Sequence, residues 1–178
     1  MQTDSAPSRA LPDPDGTPGL DPETPPKVAF GPGGEVYVVY FITKQLKPKA
    51  AASVALRVIR SDDAGRTWGA PSNISDDGIW GTYRSDHVIH VSTAGVVSAA
   101  WIDLRDTKET RLYYAQSNDR GATWSKNVAV DMDPSCECCR MGVTSSADGR
   151  VYIAWRKVLP GGLRDIVVAS SADSGKTW

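Results

Sequence analysis

The sequence predicts an all-β protein built from three repeated antiparallel sheets, two with four strands and the third truncated. Three observations support this prediction. The eight-residue pattern S-x-D-x-G-x-T-W begins at Ser61, Ser117 and Ser171, so it recurs after 56 and then 54 residues. A repeat of this period is typical of solenoids, propellers and arrays. Short β-branched runs also alternate with 16 glycines and 12 prolines, which indicates many short strands joined by turns.

The repeated pattern, called the box below, has the composition of a closed hairpin turn. Its Gly tolerates a positive φ at the turn, and its Asp, Ser and Thr can bond the backbone of the turn. Its Trp can return to an apolar layer. We therefore expect a structural role for the fifteen box residues. They are Ser61, Asp63, Gly65, Thr67, Trp68, Ser117, Asp119, Gly121, Thr123, Trp124, Ser171, Asp173, Gly175, Thr177 and Trp178.

A second repeat precedes each box and predicts a buried strand. A Gly opens an almost wholly apolar run that ends in an aromatic residue, at 34–40, 95–101 and 149–155. With a strand before it, one leading into the box and one after the box, each of the first two units holds four strands, as a propeller blade does. The third unit has no fourth strand. The expected blades span about 27–76, 77–131 and 132–178.

Residues 1–26 differ in composition from the rest of the chain. They contain seven of the twelve prolines and few bulky apolar residues, so we expect a disordered, Pro-rich linker. This segment lacks the basic start followed by an apolar run that would indicate a secretory signal. The net charge of −1 gives no reason to expect nucleic-acid binding, and no apolar run is long enough to span a membrane.

The box repeats resemble the Asp-boxes (BNR repeats) of the sialidase-like β-propeller superfamily, over about residues 27–178. The resemblance implies a propeller of six or more blades. It therefore also implies missing blades, supplied by a longer parent chain or by an oligomer. It suggests a secreted or periplasmic protein that binds a glycan or a small anionic ligand. The box is specific for the fold and says little about function, because enzymes and binding modules share it.

Propeller loops that join strand four to the next strand one gather at one mouth of the central channel, together with the loops between strands two and three. The boxes face the opposite side. We therefore expect functional residues within 80–86, 103–111, 131–140 and 156–164.

Two stretches at this mouth resemble parts of a sialidase active site. Tyr83-Arg84 is similar to the family motif whose Arg binds the substrate carboxylate, although Ser85-Asp86 replaces its Ile-Pro. The stretch from Trp101 to Asp106 resembles a segment with an acidic residue, an Arg and the catalytic Asp. The resemblance implies Asp106 as general acid/base. The substrate-binding candidates at the mouth are Arg84, Asp103, Arg105 and Arg140.

The same residues also fit a structural interpretation, in which an Asp–Arg pair stabilises a blade loop and Arg84 pairs with Asp86. In addition, blade one has Pro26-Lys27-Val28 in place of the Arg motif. The Tyr nucleophile, its Glu partner and the other Arg residues of family sialidases come from later blades. We therefore expect no sialoside hydrolysis from this chain alone.

The three cysteines, Cys136, Cys138 and Cys139, fall within four positions. Three interpretations stay open: a thiolate site for copper or zinc, a local disulfide with redox chemistry, or three reduced thiols that only pack. The C-x-C-C spacing differs from the usual C-x-x-C, and no fourth ligand is obvious. An exposed Arg140 beside the cysteines would favour thiol reactivity.

The sequence therefore predicts a sialidase-like Asp-box propeller module that binds a glycan or another anionic ligand and lacks a complete catalytic set. The first alternative is the N-terminal half of an exo-α-sialidase that uses Arg84 and Asp106. The second is a metal or redox site at the cysteines.

Overall fold

The structure is a computed structural model that describes residues 10–15, 17–18, 24–44, 53–76, 84–105 and 109–178. Within these residues the chain forms three antiparallel sheets and one short 3-10 turn, Pro160–Gly162. No helix in the described part of the chain is long and apolar enough to cross a membrane.

The first sheet is a meander of four strands with a short extra strand. Its order is β2-β3-β4-β5, and β1 pairs with the far end of β3. The strands are β1 (Thr17–Pro18), β2 (Lys27–Phe30), β3 (Val36–Lys44), β4 (Ser53–Ser61) and β5 (Ser72–Asn73).

The second and third sheets repeat this meander with four and three strands. The second is ordered β6-β7-β8-β9 and the third β10-β11-β12. Their strands are β6 (Arg84–Val91), β7 (Val97–Asp103), β8 (Arg111–Ser117), β9 (Val128–Ala129), β10 (Gly142–Ser145), β11 (Val151–Val158) and β12 (Arg164–Ser171). The predicted all-β fold of three antiparallel blades, with a shorter third, is confirmed.

The first strands of the blades adjoin one another, since β6 contacts both β2 and β10. Strand β6 begins at Arg84 and contains a β-bulge between Ser85 and His87. The extra residue, Asp86, has a φ of 23°, a conformation uncommon for a residue other than glycine. The bulge lets the strand continue to the blade end where the candidate site residues lie.

Two apolar layers join the blades. The first lies between blades one and two and includes Val39, Leu56 and Trp101. The second lies between blades two and three and includes Ile102 and Ile153. Because side chains alternate along each strand, the central blade can contribute to both layers.

Part of the Pro-rich segment also contacts blade one. Leu11 packs against its outer face, and the Tyr40 hydroxyl donates to Asp13 Oδ2 at 2.7 Å. Asp13 Oδ2 lies 3.4 Å from Arg57 Nε, and both side chains are almost fully buried. Residues 1–9, 16 and 19–23 lie outside the described residues. The linker boundary at residue 26 stays a prediction.

Candidate functional site

The boxes use their polar groups inside their own turns. In the second box, Asp119 Oδ1 accepts hydrogen bonds from the Ser117 hydroxyl at 2.7 Å and the Thr123 amide at 2.8 Å. Asp119 Oδ2 accepts one from the Thr123 hydroxyl at 2.5 Å, and Ser117 Oγ accepts one from the Gly121 amide at 2.8 Å. The other two boxes repeat these four bonds. The hydrogen bond from the Thr123 hydroxyl, followed by that from its amide, lowers the pKa of Asp119 to about 2.

At the other end of blade two, a buried cluster joins Arg84, Asp103 and Arg105. Arg84 Nε lies 3.3 Å from Asp103 Oδ2, and these side chains are 0% and 1% exposed. Arg105 Nη2 donates to the same oxygen at 2.7 Å, and Trp101 Nε1 donates to it at 2.9 Å. Arg84 Nη1 also donates to the carbonyl of Val54 in blade one.

Arg105 extends this cluster across the junction of blades one and two. Its Nη1 donates to Asp76 Oδ1 at 2.7 Å and to Asn127 Oδ1 at 3.0 Å. Its guanidinium lies 4.4 Å from the ring centroid of Tyr113. The guanidinium is therefore held by polar contacts along its edge and by an aromatic ring on its face.

The structure brings together three of the residues that the sequence singled out, Arg84, Asp103 and Arg105. Arg84 pairs with Asp103, while Asp86 Oδ2 accepts a hydrogen bond from the Met141 amide at 3.0 Å. The proposed general acid/base, Asp106, lies outside the described residues.

Arg140 differs from this buried cluster because it is exposed. Its side chain makes no hydrogen bond or ion pair with the described part of the chain. Burial raises the pKa of Asp86, and the charges of Lys27 and Arg140 oppose that shift. Lys27, Asp86 and Arg140 come from blades one, two and three, so charged groups from all three blades influence one another here.

Both histidines lie on β6, and both have partners outside the cysteine group. His87 Nε2 lies 3.2 Å from the Val39 carbonyl, and burial lowers the pKa of His87 to about 4. His90 Nε2 lies 2.9 Å from Ser145 Oγ. Neither belongs to the group of potential metal ligands found among the described residues.

The three cysteines converge. All are free, and their sulfur atoms lie 2.7 Å (Cys136–Cys139), 3.4 Å (Cys136–Cys138) and 3.9 Å (Cys138–Cys139) apart. Cys136 is buried, Cys139 is half-buried and Cys138 is exposed. The cluster could bind a metal ion.

Hydrogen bonds from blades two and three hold the backbone of the cysteine loop, residues 136–139. The Cys136 amide donates to the Arg156 carbonyl at 3.0 Å, and the Ser85 hydroxyl donates to the Glu137 carbonyl at 2.9 Å. Arg156 Nη1 lies 3.7 Å from Cys139 Sγ, and this contact raises the pKa of Arg156. Cys138 also lines a pocket of about 440 Å³ beside the loop.

Sequence reasoning missed Lys27 as a charge at this end and Arg156 as a neighbour of the cysteines. In the sequence, Lys27 is distinguished only as a departure from the family motif. Arg156 directly follows the aromatic end of a predicted strand, which places it at the expected mouth. No local pattern shows that it approaches Cys139.

Comparisons with known proteins agree on the repeat and on the fold. A family model described as a BNR repeat-like domain matches residues 20–178. No curated protein sequence matches the chain.

Among solved structures, a protein of unknown function from Dyadobacter fermentans has a TM-score of 0.63 and 21% identity, with 85% of this chain and 48% of that chain covered. Hadza microbial sialidase Hz136 has a TM-score of 0.61 and 20% identity, and the match covers 86% of this chain and 36% of that chain. A Penicillium chrysogenum α-L-arabinanase complexed with arabinobiose has a TM-score of 0.55 and 16% identity, and the match covers 84% of this chain and 46% of that chain. This chain therefore spans less than half of each, and at these identities the likeness shows the fold alone.

Proposed function

The chain belongs to the BNR repeat-like domain family, and on that premise we propose that it is a propeller module that binds a glycan or another anionic ligand at its channel mouth. The observation that carries the proposal is the exposed residue Arg140, whose side chain makes no hydrogen bond or close ion pair with the described part of the chain. Guanidinium groups bind carboxylates through paired, charge-assisted hydrogen bonds. Arg140 is the proposed direct contact.

The buried cluster has a different role in this proposal. Arg84 and Asp103 are almost inaccessible, and Arg105 is tied to several groups. Their contribution to ligand binding is to hold the end of β7 and the loop that leads to Asp106. A site is more precise when residues behind it lock its position.

The named relatives favour a glycan as the ligand. One is a sialidase, and another is an arabinanase complexed with arabinobiose. A sugar acid such as a sialoside would supply the carboxylate that Arg140 can bind. A neutral arabinoside would leave the guanidinium without a charged partner.

A glycan array tests the proposal, with sialylated, uronic-acid, arabinose-containing and neutral glycans on one surface. We expect retention of acidic glycans and a loss of about tenfold or more in affinity for Arg140→Ala, because a hydrogen bond to a charged group contributes about 1.5–3 kcal/mol. Arg150→Ala, at the opposite end of blade three, is the matched control. Failure to bind any acidic glycan, or equal losses in both variants, would contradict the proposal.

The enzymatic alternative is the N-terminal half of an exo-α-sialidase that uses Arg84 and Asp106. It is tested with a full parent chain on a fluorogenic sialoside. Asp106→Asn should lower kcat by about 100-fold or more, because it removes a general acid/base, while Lys126→Ala should leave kcat unchanged. Normal turnover by Asp106→Asn would exclude this role.

A second candidate function is metal binding at the cysteine loop, with copper or zinc as the ion. The close approach of three free sulfurs favours it, because thiolates are ligands for both metals. Metal analysis of protein purified under reducing conditions should find about one equivalent, which Cys138→Ser should lower. Metal-free protein after incubation with either ion would contradict it.

The remaining proposals concern partners and location. Leu163, Ile166 and Val168 are each more than 60% exposed at the free side of blade three. We infer that further blades, from a parent chain or a second copy, cover this face. A secreted or periplasmic location fits a glycan-binding role, and fractionation of the source cells would test it.

A further inference from the structure

Resting on the proposed metal site, we propose further that the cysteine loop is a three-coordinate site for Cu(I), open to solvent on the side of Cys138. Cys136, Cys138 and Cys139 are its three ligands. Its ligands are thiolates and its occupant is a cation, whereas the proposed contact of Arg140 is with an anion.

The ligand set favours a soft, monovalent ion. In the part of the chain that the structure describes, no His, Asp or Glu joins the three sulfurs within 4.8 Å. Structural zinc almost always has four protein ligands in a tetrahedron, so three thiolates leave one position unfilled. Cu(I) is a soft ion that favours thiolates, and three sulfurs in a trigonal arrangement complete its coordination.

The sulfur positions need little rearrangement. A metal–sulfur bond of about 2.3 Å requires sulfurs roughly 3.8–4 Å apart. The Cys138–Cys139 separation of 3.9 Å already fits, whereas that of Cys136 and Cys139, 2.7 Å, must widen by about 1 Å. The Cys136–Cys138 separation of 3.4 Å must widen by about 0.5 Å, which the exposed Cys138 side chain can supply by rotation. Rotation of the Cys139 side chain, which is only half-buried, can supply this movement while the backbone of Cys136 stays bonded to β11.

The surroundings compensate the charge of such a site. Three thiolates and one Cu(I) carry a net charge of −2, and burial of an uncompensated charge is costly. Arg156 lies on β11 with its Nη1 3.7 Å from Cys139 Sγ. Its guanidinium stands beside the thiolate and offsets part of this negative charge.

The exposure of Cys138 makes the site suitable for metal exchange. An external thiol can enter the adjoining pocket of about 440 Å³ and bind copper as Cys138 leaves. The incoming thiol loses its proton, and the departing Cys138 sulfur takes up a proton. Copper stays Cu(I) throughout, so the step needs no oxidant or reductant.

The test is an anaerobic titration of the reduced chain with Cu(I) held by bicinchoninate, followed by X-ray absorption of the loaded protein. We expect one Cu(I) per chain with three sulfur neighbours. Cys138→Ser should weaken Cu(I) binding by at least about tenfold, because even residues that only orient a metal ligand contribute 10–100-fold to affinity. Glu137→Gln changes an exposed carboxylate in the same loop and should leave the affinity unchanged. Circular dichroism of both variants controls for folding.

The outcomes separate this inference from the proposal on which it rests. Binding of neither Cu(I) nor Zn²⁺ would overturn both. If the protein retains Zn²⁺ in preference to Cu(I), the three-coordinate copper site is wrong but the metal site is not. The same holds if X-ray absorption finds nitrogen or oxygen atoms beside Cu(I). Unchanged affinity in Cys138→Ser would show that Cys138 is not a ligand. Transfer of copper from the loaded wild-type protein to added glutathione should become faster as the glutathione concentration rises, because the incoming thiol displaces Cys138. A transfer rate independent of the glutathione concentration would remove the open-side role.

Discussion

At the scale of single residues, the box carboxylates show how an exposed acid can be structural. Asp119 stabilises its turn as a carboxylate, since both oxygens accept hydrogen bonds from the turn. Its pKa of about 2 lies below the ordinary value of 3.8. The folded state therefore favours the ionised form, and this contribution is complete above about pH 4 and is lost as the pH falls through about 2.

Substituting Asp119 with Asn should expose this contribution. The amide offers one acceptor oxygen where the carboxylate has two, so we expect a lower melting temperature at pH 7 and a smaller further decrease between about pH 4 and pH 2. Thermal unfolding across this range measures both effects. Asp165→Asn changes an exposed carboxylate on β12 and serves as the control. If Asp119→Asn loses as much melting temperature between about pH 4 and pH 2 as wild type does, the ionised Asp119 does not stabilise the turn.

His87 should produce a separate pH dependence. Its ring packs edge-on against Phe41 across the first blade junction, and its pKa is about 4 in the folded chain and about 6.5 when unfolded. The unfolded state therefore binds more protons between about pH 6.5 and pH 4. Stability is complete above about pH 6.5 and falls through this window, by up to about 3 kcal/mol.

His87→Phe should remove most of this dependence because its ring can fill the same space and cannot titrate. Urea unfolding at pH 7.5 and pH 4.5 would measure the difference for wild type and variant. Burial also lowers the pKa of His90, so His90→Gln should remove a smaller part of the dependence and keep the part that belongs to His87. If His87→Phe keeps the full wild-type slope, another group is responsible.

At the scale of elements, the Arg105 side chain connects blades one and two, which are separate repeats in the sequence. Arg105→Ala would leave Asp103, which is 1% exposed, with fewer compensating donors, and would remove the link to Asp76. Breaking a buried ion pair costs about 3–5 kcal/mol, so we expect a loss in this range. Urea unfolding measures it. Lys126→Ala, at an exposed position of blade two, should change stability by less than about 0.5 kcal/mol. Similar losses in both variants would refute the bridging role.

The sequence predicted the blades well because their signals are local. Gly turns, apolar strands and the box residues each lie within one unit, and the strands agree closely with the expected ones. The bulge at Asp86 and the burial of Arg84 depend on partners far along the chain, including Val54. A single-sequence pattern carries no such information. The cysteines were recognised as a cluster because four consecutive positions cannot lie far apart, but their individual exposure was not predictable.

At the scale of the whole molecule, the blades form a series in which the central blade packs on both of its faces and blade three packs on one. On β12, Val167 packs into the layer shared with blade two, whereas Ile166 and Val168, which point the other way, are 64% and 67% exposed. The alternation that fills the layer on one side therefore leaves an apolar surface on the other. Large exposed apolar surfaces mark interaction sites or promote association.

The chain of 178 residues should therefore associate in solution as its concentration rises. Sedimentation velocity at several concentrations measures this, and we expect the double variant Ile166→Lys/Val168→Lys to stay monomeric because charges oppose burial of this face. The double variant Thr144→Lys/Ala147→Lys adds the same two charges at exposed positions of β10 and the turn that follows it, so it controls for net charge. A wild-type chain that is monomeric at every concentration would contradict the prediction. Equal suppression by both variants would assign the association to charge rather than to the apolar face.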